Sequence, residues 1–431
     1  MKTAGRLQAA IEVLEDILLR HRPAAMALAD WGKSHRFAGS ADRSAIGNLV
    51  YDALRRRLSL SHRMAADTPR ALVLATAATS LGVSLAEICA AVDGSRHAPA
   101  ALTPAESHSL PALPRDVAPD FVAADIPGWL APAFRDVFGD NVIDEGAALA
   151  RRAPVDLRVN TLVARRDAVL DALAHAGPQP GPWTSTCIRI PPPEGAGRTP
   201  NVEVEGAHGQ GAYEVQDQGS QIAAALVGAR PDDKVLDLCA GAGGKTLALA
   251  AAMENSGSLL AYDADKSRLR PIYERITRAR ATCITVLPAA DRKSLETHRG
   301  SFDVVVVDAP CSGTGVWRRR PDSKWRLKPE ALAQREASQR NLLDQAADFV
   351  RPGGRIVYIT CSVLPQENSR QIEAFLQRHQ GFRQQPWRQR WSQTIGQPTP
   401  EGSADGRDDS LLLTPRLHDT DGFFIACLGK N

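Results

Sequence analysis

From about residue 220 onwards, short apolar runs alternate regularly with segments that have helical spacing. Strands that are separated by helices pair in parallel, because each crossover helix returns the chain to the edge from which it started. The pattern therefore predicts an α/β fold with a doubly wound parallel sheet, whose ligand crevice lies at the carboxyl ends of its strands. The predicted strands are Lys234–Cys239, Ser258–Tyr262, Val304–Val307, Arg355–Ile359 and Gly422–Leu428.

The remainder of the chain divides by composition. Residues 1–95 have apolar side chains three and four positions apart, which predicts an all-helical domain. Residues 96–119 are rich in proline and lose that periodicity, so we expect a linker. Residues 120–215 mix helix and strand patterns, which predicts a small α+β domain ahead of a catalytic domain at 216–431. Within the catalytic domain, the polar residues 384–409 are expected to form an irregular insertion.

Composition argues against several classes of protein. The net charge is only +3, so any nucleic-acid surface has to be local. The seven cysteines include no Cys-x-x-Cys pair, which disfavours a disulfide framework and a structural zinc site, and we expect no metal. Met1–Arg20 has the pattern of an amphipathic helix, so neither a signal peptide nor a membrane span is expected. These features predict a cytoplasmic protein whose thiols stay free.

Two cysteines, Cys311 and Cys361, each follow a predicted buried strand. A free cysteine is often just a small buried hydrophobe, and that interpretation applies to either residue alone. Both, however, lie where strands leave the sheet and beside turn-forming or polar residues. Two thiols at one crevice indicate covalent chemistry on an electrophile, but the residues by themselves do not tell which thiol attacks.

A glycine-rich turn follows the strand Lys234–Cys239 and opens a helix. Such a turn brings backbone N–H groups close to a ligand, and its end fits the P-loop pattern except that Cys239 stands where that pattern needs glycine. Asp263 ends the next strand, where an acid accepts ribose hydroxyls, although a helix N-cap is the alternative. Asp291 follows the third strand. The predicted residues of this adenosine-type site are Cys239, Ala240, Gly241, Ala242, Gly243, Gly244, Lys245, Asp263 and Asp291.

A basic run with two tryptophans, Trp317 and Trp325, comes directly after Cys311. Cationic side chains bind phosphates and an aromatic ring can stack on an unpaired base, whereas a charge run is also typical of a solvated surface. Its position beside the predicted catalytic loop favours RNA contact. The candidate RNA-binding residues are Arg318, Arg319, Arg320, Lys324 and Arg326.

Three segments, Asp237–Thr246, Asp308–Gly315 and Thr360–Asn368, resemble the motifs of the Nop/Sun family of S-adenosylmethionine-dependent RNA cytosine-5 methyltransferases. Asp421–Phe424 and Leu157–Asn160 are similar to the same family, and the chain looks most like its bacterial 16S rRNA members of the Sun type. The resemblance implies a Rossmann-like class I methyltransferase domain with a mostly parallel sheet. It also implies a NusB-like helical domain, a small RNA-facing domain, S-adenosylmethionine as cofactor, and 16S rRNA as partner of a monomeric enzyme.

The resemblance also implies roles for three side chains. Cys361 would add to carbon 6 of cytosine, Cys311 would assist loss of the carbon 5 proton and release of the enzyme, and Asp308 would hydrogen-bond the cytosine edge beside the cofactor. The chain departs from the family at Gly241-Ala242, where Ala-Pro is usual. Losing the proline makes this turn more flexible.

Three other functions remain open from the residues. A P-loop NTPase predicts ATP binding through Lys245. An amino-group methyltransferase would use residues 308–311 as a variant of an Asp-Pro-Pro-Tyr loop, but Cys311 cannot clamp a base as an aromatic ring does. A non-catalytic RNA-binding factor would tolerate loss of either thiol.

Overall fold

The computed structural model describes residues 1–111, 117–193, 195 and 197–431, so residues 112–116 of the predicted linker lie outside the described residues. Its helices are α1 (Thr3–Arg20), α2 (Ala24–Ser34), α3 (Ser40–Arg55), α4 (Arg57–Met64), α5 (Pro69–Ser80), α6 (Leu85–Ala91), α7 (Pro104–Ser109), α8 (Asp120–Ala123), α9 (Ala131–Phe138), α10 (Val142–Leu149), α11 (Arg166–Ala172), α12 (Gly206–Gly209), α13 (Gln218–Val227), α14 (Gly244–Ala252), α15 (Lys266–Leu269), α16 (Ile272–Ala279), α17 (Arg292–Glu296), α18 (Pro321–Arg326), α19 (Pro329–Phe349), α20 (Ser369–Arg378), α21 (Trp387–Thr394) and α22 (Pro415–His418). Its strands are β1 (Val155–Val159), β2 (Gln179–Pro180), β3 (Cys187–Ile190), β4 (Tyr213–Val215), β5 (Lys234–Asp237), β6 (Ser258–Ala261), β7 (Ile284–Val286), β8 (Phe302–Asp308), β9 (Val350–Thr360), β10 (Phe382–Gln385), β11 (Ser410–Leu413) and β12 (Phe423–Lys430).

The chain forms two compact units, which do not follow the predicted boundaries at 95, 119 and 215. The first unit contains residues 1–153, 192–199 and 316–327, and the second contains residues 154–191, 200–315 and 328–431. Helices α8, α9 and α10, which the sequence had grouped with the α+β region, therefore belong to the first unit, and α7 lies within the predicted linker.

The side-chain hydrogen bonds of Asp125 attach the chain after α8 to the first unit. Its carboxylate accepts hydrogen bonds from the backbone N–H groups of Leu58 and Ser59, at 2.8 and 3.0 Å, and so satisfies the amino end of α4. A helix end leaves such N–H groups without intrahelical partners, and a carboxylate there also interacts favourably with the helix dipole.

Residues 316–327, which also belong to the first unit, supply hydrogen-bond donors to the carboxyl end of α3. Lys324 Nζ donates to the carbonyl oxygens of Arg55 and Asp125, at 3.0 and 2.8 Å, and Trp325 Nε1 donates to the carbonyl of Leu54 at 2.7 Å. The carbonyls of the last helical turn have no intrahelical donors, so these two side chains complete α3 from a distant part of the sequence.

The basic run is consequently not one exposed surface. Lys324 is 1% exposed and Arg318 is 2% exposed, so both side chains lie in the interior of the first unit. Arg319 is partly buried, whereas Arg320 and Arg326 are exposed. The pattern could not distinguish these positions, because a lysine that meets buried carbonyls looks the same in the sequence as a solvated one.

The second unit contains a small and a large sheet. Within the described residues the small sheet is antiparallel, in the order β2-β3-β1-β4. The large sheet runs β7-β6-β5-β8-β9-β12, with β10 and β11 both on the outer edge of β12. The pairs from β7 to β9 are parallel, and β12 is antiparallel to β9, β10 and β11. The α/β fold class with a mostly parallel sheet is confirmed, and among the described residues the antiparallel pairs of this sheet are those that β12 forms.

The segment at residues 384–409 is not irregular throughout. It holds the end of β10 and the helix α21, in which Trp387 and Trp391 are one helical turn apart and buried in the core of the second unit. The segment was misjudged because it has few aliphatic residues and its apolar surface comes from two tryptophans. None of the described helices combines the length and apolarity that crossing a membrane would require.

Burial lowers the pKa of Lys324 to about 8, which makes its contribution to stability depend on pH. Between about pH 8 and the usual value of 10.5, the unfolded chain binds more protons at this site than the folded one, so stability rises with pH. We expect the wild type to gain up to about 1.4 kcal/mol per pH unit over Lys324→Met in that window. Denaturant unfolding of both proteins from pH 7.5 to 10 measures this, and parallel pH profiles would contradict it.

Candidate active site

Cys311 and Cys361 meet at the carboxyl edge of two adjacent strands. Cys361 directly follows β9, and Cys311 comes three positions after Asp308 at the end of β8. These strands pair in parallel, with Asp308 opposite Ile359. The two sulfur atoms are 3.4 Å apart and both residues are partly buried. The structure thus places both predicted thiols side by side at this edge of the sheet, each in the loop that follows its strand.

A buried carboxylate, Glu367, holds the two cysteine loops together. Its Oε1 accepts hydrogen bonds from Ser312 N at 2.8 Å and from Gln339 Nε2 at 3.0 Å, while its Oε2 accepts one from Ser312 Oγ. Gln339 Nε2 also donates to the carbonyl of Pro310 at 2.9 Å. Neither Glu367 nor Gln339 was singled out from the sequence, although Glu367 lies within the motif Thr360–Asn368.

Hydroxyl groups of serine and threonine side chains form further hydrogen bonds in and between the two cysteine loops. Thr314 Oγ1 lies 3.1 Å from Ser362 Oγ and accepts a hydrogen bond from Val363 N at 2.9 Å. Thr360 Oγ1 donates to Asn368 Oδ1 at 2.6 Å. These side chains are buried, so the loop that follows each thiol is fixed by a connected set of polar contacts rather than by solvent.

The Cys311 thiol is held in its protonated form. Its contact with Cys361 and its burial raise the pKa of the Cys311 thiol well above the ordinary range, and the negative charge of Glu367 adds to the effect. A second negative charge at this separation would be unfavourable, which is why the contact with Cys361 favours the neutral form of Cys311.

Lys245 and Asp308 form an ion pair beside the thiols. Lys245 Nζ lies 2.7 Å from Asp308 Oδ2, and the same nitrogen lies 5.1 Å from the centre of the Phe423 ring. Lys245 is almost fully buried, whereas the Asp308 side chain is 34% exposed. Asp308 therefore presents an oriented carboxylate at the open edge of the sheet.

The glycine-rich loop has a backbone conformation that favours glycine at two of its positions. Gly241 and Gly243 adopt φ values of +50° and +84°, a region that favours glycine. A Cβ on Gly243 would come within 2.5 Å of Ile272, and α14 begins at the next residue. Cys239 and Ala240 are buried, so the loop offers a ligand its backbone rather than those side chains. At the departure from the family motif, the αL conformation of Gly241 is one that alanine rarely adopts.

Asp237, at the end of β5, is a buried carboxylate that the sequence had not assigned to the site. Its Oδ2 accepts a hydrogen bond from Thr246 Oγ1 at 2.7 Å, while its Oδ1 has no hydrogen-bond partner among the described residues. Burial, together with the charge of Asp308, raises its pKa to about 7 despite the Thr246 hydrogen bond. An unpaired buried acceptor next to a glycine-rich loop is a group that a ligand donor would satisfy.

The two other predicted acids differ in their surroundings. Asp263 is 4% exposed and its Oδ2 accepts a hydrogen bond from Gly241 N at 3.0 Å, so it contacts the glycine-rich loop directly. The helix that follows is capped by Asp265 instead. Asp291 lies beyond the end of β7 and caps α17 through Ser294, whose hydroxyl and N–H lower the pKa of the Asp291 carboxyl. The observed contact of Asp291 is therefore that of a helix N-cap.

A side chain of the small sheet also supports the glycine-rich loop, through an arginine of α16. Arg275 NH1 donates to the carbonyl of Ala242 at 2.7 Å, and Glu214 on β4 accepts from Arg275 at 2.8 Å and from Arg278 at 2.7 Å. Arg158 on β1 donates to Gln216 at 2.7 Å. Within the described residues, no group of His, Cys, Asp and Glu side chains is arranged to hold a metal ion.

Comparisons with known proteins place these features in a family. Residues 224–429 match the family described as 16S rRNA methyltransferase RsmB/F, and residues 126–194 match the ferredoxin-like domain of RsmF/B-like methyltransferases. The chain is 32% identical over 311 residues to the probable ribosomal RNA small subunit methyltransferase B of Bacillus subtilis, covering 70% of this chain and 66% of that one. It is 33% identical over 310 residues to ribosomal RNA small subunit methyltransferase B of Shewanella oneidensis, covering 70% and 67%. The chain thus spans about two thirds of the length of these relatives.

Among solved structures, the crystal structure of PH0851 is similar over 100% of both chains, with a TM-score of 0.74 and 24% sequence identity. At this identity the likeness concerns the fold.

Gly315→Ala tests the support of the Cys311 loop. A Cβ at this position would come within 2.2 Å of the carbonyl oxygen of Gly422, which is backbone and cannot turn aside. We expect the free energy of unfolding to fall by about 1–3 kcal/mol, as overpacking does. Chemical denaturation measures the change, and Gly381→Ala is the matched control because nothing lies within 4 Å of its added methyl group. Equal stability of the two variants would refute the proposed support.

Proposed function

The chain belongs to the RsmB/F family of 16S rRNA methyltransferases, and on that premise we propose that it transfers a methyl group from S-adenosylmethionine to carbon 5 of a cytosine in 16S rRNA. The observation that carries the proposal is the separation of 3.4 Å between the sulfurs of Cys311 and Cys361, at the edge of the sheet where Asp308 also ends its strand. The proposal includes action as a monomer in the cytoplasm, where thiols stay reduced.

The residues around the glycine-rich loop fit S-adenosylmethionine. Residues 239–245 would approach it through their backbone, Asp263 would accept from its ribose, and the unpaired Oδ1 of Asp237 is available to a donor such as its amino group. Asp291, which caps α17, would contribute from the rim of the same crevice. When bound, the cofactor supplies an electrophilic methyl group on a sulfonium.

Lys245 argues against the P-loop alternative. In a P-loop this lysine reaches the β- and γ-phosphates of a nucleotide. Here Nζ is bound to Asp308 and lies over the Phe423 ring, so the lysine is already paired with a carboxylate that would repel a triphosphate. The same contact suits a role in holding the Asp308 carboxyl towards a base.

Cys361 is the attacking thiol in this mechanism. Carbon 5 of cytosine is a weak nucleophile, and a thiolate that adds to carbon 6 turns the ring into an enamine. The resemblance of Thr360–Asn368 to the Nop/Sun motif assigns the carbon–sulfur bond to Cys361, which directly follows β9 at the edge of the sheet. One oxygen of Asp308 would accept a hydrogen bond from the exocyclic amine, and the other would deliver a proton to N3 as the addition of sulfur makes that nitrogen basic.

Release of the product requires that the bond between the Cys361 sulfur and carbon 6 breaks again. After the methyl group has joined carbon 5, the proton on that carbon must leave so that the carbon–sulfur bond can break and return the electron pair to Cys361. The Cys361 sulfur carries no charge while it is bonded to carbon 6, so Cys311 could then release its own proton to solvent. As a thiolate, 3.4 Å from the Cys361 sulfur, Cys311 would accept the proton from carbon 5. The target base has to be unpaired or flipped out of a helix, because a thiol cannot reach carbon 6 within a stack.

RNA contact by the basic run forms a further part of the proposal. The exposed Arg320 and Arg326 would bind phosphates together with Arg319. Arg318 and Lys324 would act by supporting the segment from within, since their side chains are interior.

The thiol roles predict opposite results for two variants. Cys361→Ala should abolish both methyl transfer and the covalent protein–RNA complex, because no sulfur then reaches carbon 6. Cys311→Ala should retain attack but block release, so that a denaturant-resistant complex accumulates. Gel electrophoresis with labelled 16S rRNA measures the complex, and transfer of tritiated methyl groups measures turnover.

Cys89→Ala is the matched control, since this cysteine is free and exposed on α6. It should behave as the wild type. A covalent complex that still forms with Cys361→Ala would show that the assignment of the attacking thiol is wrong.

The glycine-rich loop predicts which nucleoside ligand binds. Titration calorimetry should detect S-adenosylmethionine but not ATP with magnesium. Gly243→Ala should weaken cofactor binding about fivefold or more, because a Cβ would collide with Ile272 and the φ of +84° is strained for alanine. Gly381→Ala serves as control, and ATP binding that depends on Lys245 would instead establish the P-loop alternative.

A further inference from the structure

The first unit contains a cavity that plays no part in the site described above. It has a volume of about 860 Å³ and is lined by residues of α1, the end of α2 and the turn at residues 95–98. This volume lies within the range of about 300–1,000 Å³ that is typical of small-ligand sites. Its lining residues with aromatic rings are Trp31, His35, Phe37 and His97, and we call it the aromatic pocket.

The aromatic wall is ordered by contacts within the unit. The rings of Trp31 and His35 are stacked with centroids 4.3 Å apart, and Phe37 meets His35 edge-on at 5.8 Å. Trp31 Nε1 donates to Glu12 Oε2 at 3.4 Å, which fixes one edge of the indole. Phe37 is nevertheless 72% exposed. A large apolar ring that stays in solvent beside ordered rings is a platform on which another flat ring can stack.

The rim of the aromatic pocket is positively charged. Lys2 and Arg96 line it and both are exposed. The acid among the lining residues is Glu12, whose two oxygens already accept hydrogen bonds from Trp31 and from Gln8. Part of the field of Lys2 is offset by Asp93, whose pKa it helps to lower. Lys2 and Arg96 together still favour an anion at the mouth, next to a flat apolar wall.

We propose that the aromatic pocket binds an unpaired nucleotide of the RNA substrate, with its base against Phe37 and the Trp31–His35 stack and its phosphate at Lys2 and Arg96. An unpaired nucleotide is favoured over a duplex, because paired bases do not present their faces to a side chain. The inference rests on the proposed RNA methyltransferase activity, and it assigns to the helical unit a contact separate from the methylated cytosine.

Two surface variants of the full chain test the proposal. Phe37→Ala should weaken binding of a fluorescent single-stranded adenosine hexamer about fivefold or more, as loss of a stacking ring does. Arg96→Gln should reduce the slope of the logarithm of the affinity against the logarithm of salt concentration by about 0.7, the value for one phosphate contact. Both residues are exposed, so unfolding midpoints should stay unchanged. In methyl transfer to 16S rRNA, KM should rise and kcat should not.

Leu19→Ala and Arg20→Gln are the matched controls, because these exposed residues of the same unit do not line the pocket. Hexamer binding within twofold of the wild type for both pocket variants would overturn the proposal. So would an equal loss of affinity for a blunt RNA duplex with Phe37→Ala, since that result excludes stacking. If the wild type binds the hexamer through Phe37 but methylates no RNA, the pocket stands and the proposed function fails.

Discussion

The edge of the sheet where the two thiols meet depends on the hydrogen bonds that surround the carboxylate of Glu367. A charge buried without partners would cost several kcal/mol, so Ser312 and Gln339 are needed to keep it in the interior. In return, the carboxylate ties the loop of Cys311 to the loop that follows Cys361. The two thiols owe their proximity to this buried contact as much as to the pairing of their strands, because strand pairing alone leaves the loops beyond it free to diverge.

Local patterns were sufficient to predict the core of the second unit. The valine run before Asp308 forms a buried strand, and the glycine-rich segment after β5 forms a turn with two glycines at positive φ. The antiparallel β12 escaped prediction, because strand direction depends on how the chain returns from β11, and an apolar run reads the same in both directions.

Contacts between distant residues could not be predicted in the same way. Lys324 and Trp325 look like RNA-binding residues in the sequence, and what they meet are carbonyl groups of α3 about 270 residues earlier in the chain. The buried Trp387 and Trp391 were hidden in the same sense, since two rings one turn apart replace the aliphatic stripe by which a helix is usually recognised. In the candidate site, the thiols and the glycines could be recognised from the sequence. The hydrogen bonds of Glu367 with Gln339 and the ion pair of Glu214 with Arg275 could not, because they join distant residues.

The close approach of Gly315 and Gly422 has a consequence for synthesis of the protein. Gly422 N donates to the carbonyl of Gly315 at 2.8 Å, and β12, which follows directly, is the last strand of the large sheet. A ribosome therefore translates β9, β10 and β11 after the loop of Cys311 and before the residue that gives this loop its backbone support. Until Gly422 has been added, the nascent protein can build much of its parallel sheet while the loop of Cys311 lacks this contact, so its two thiols acquire their final geometry later than the parallel strands.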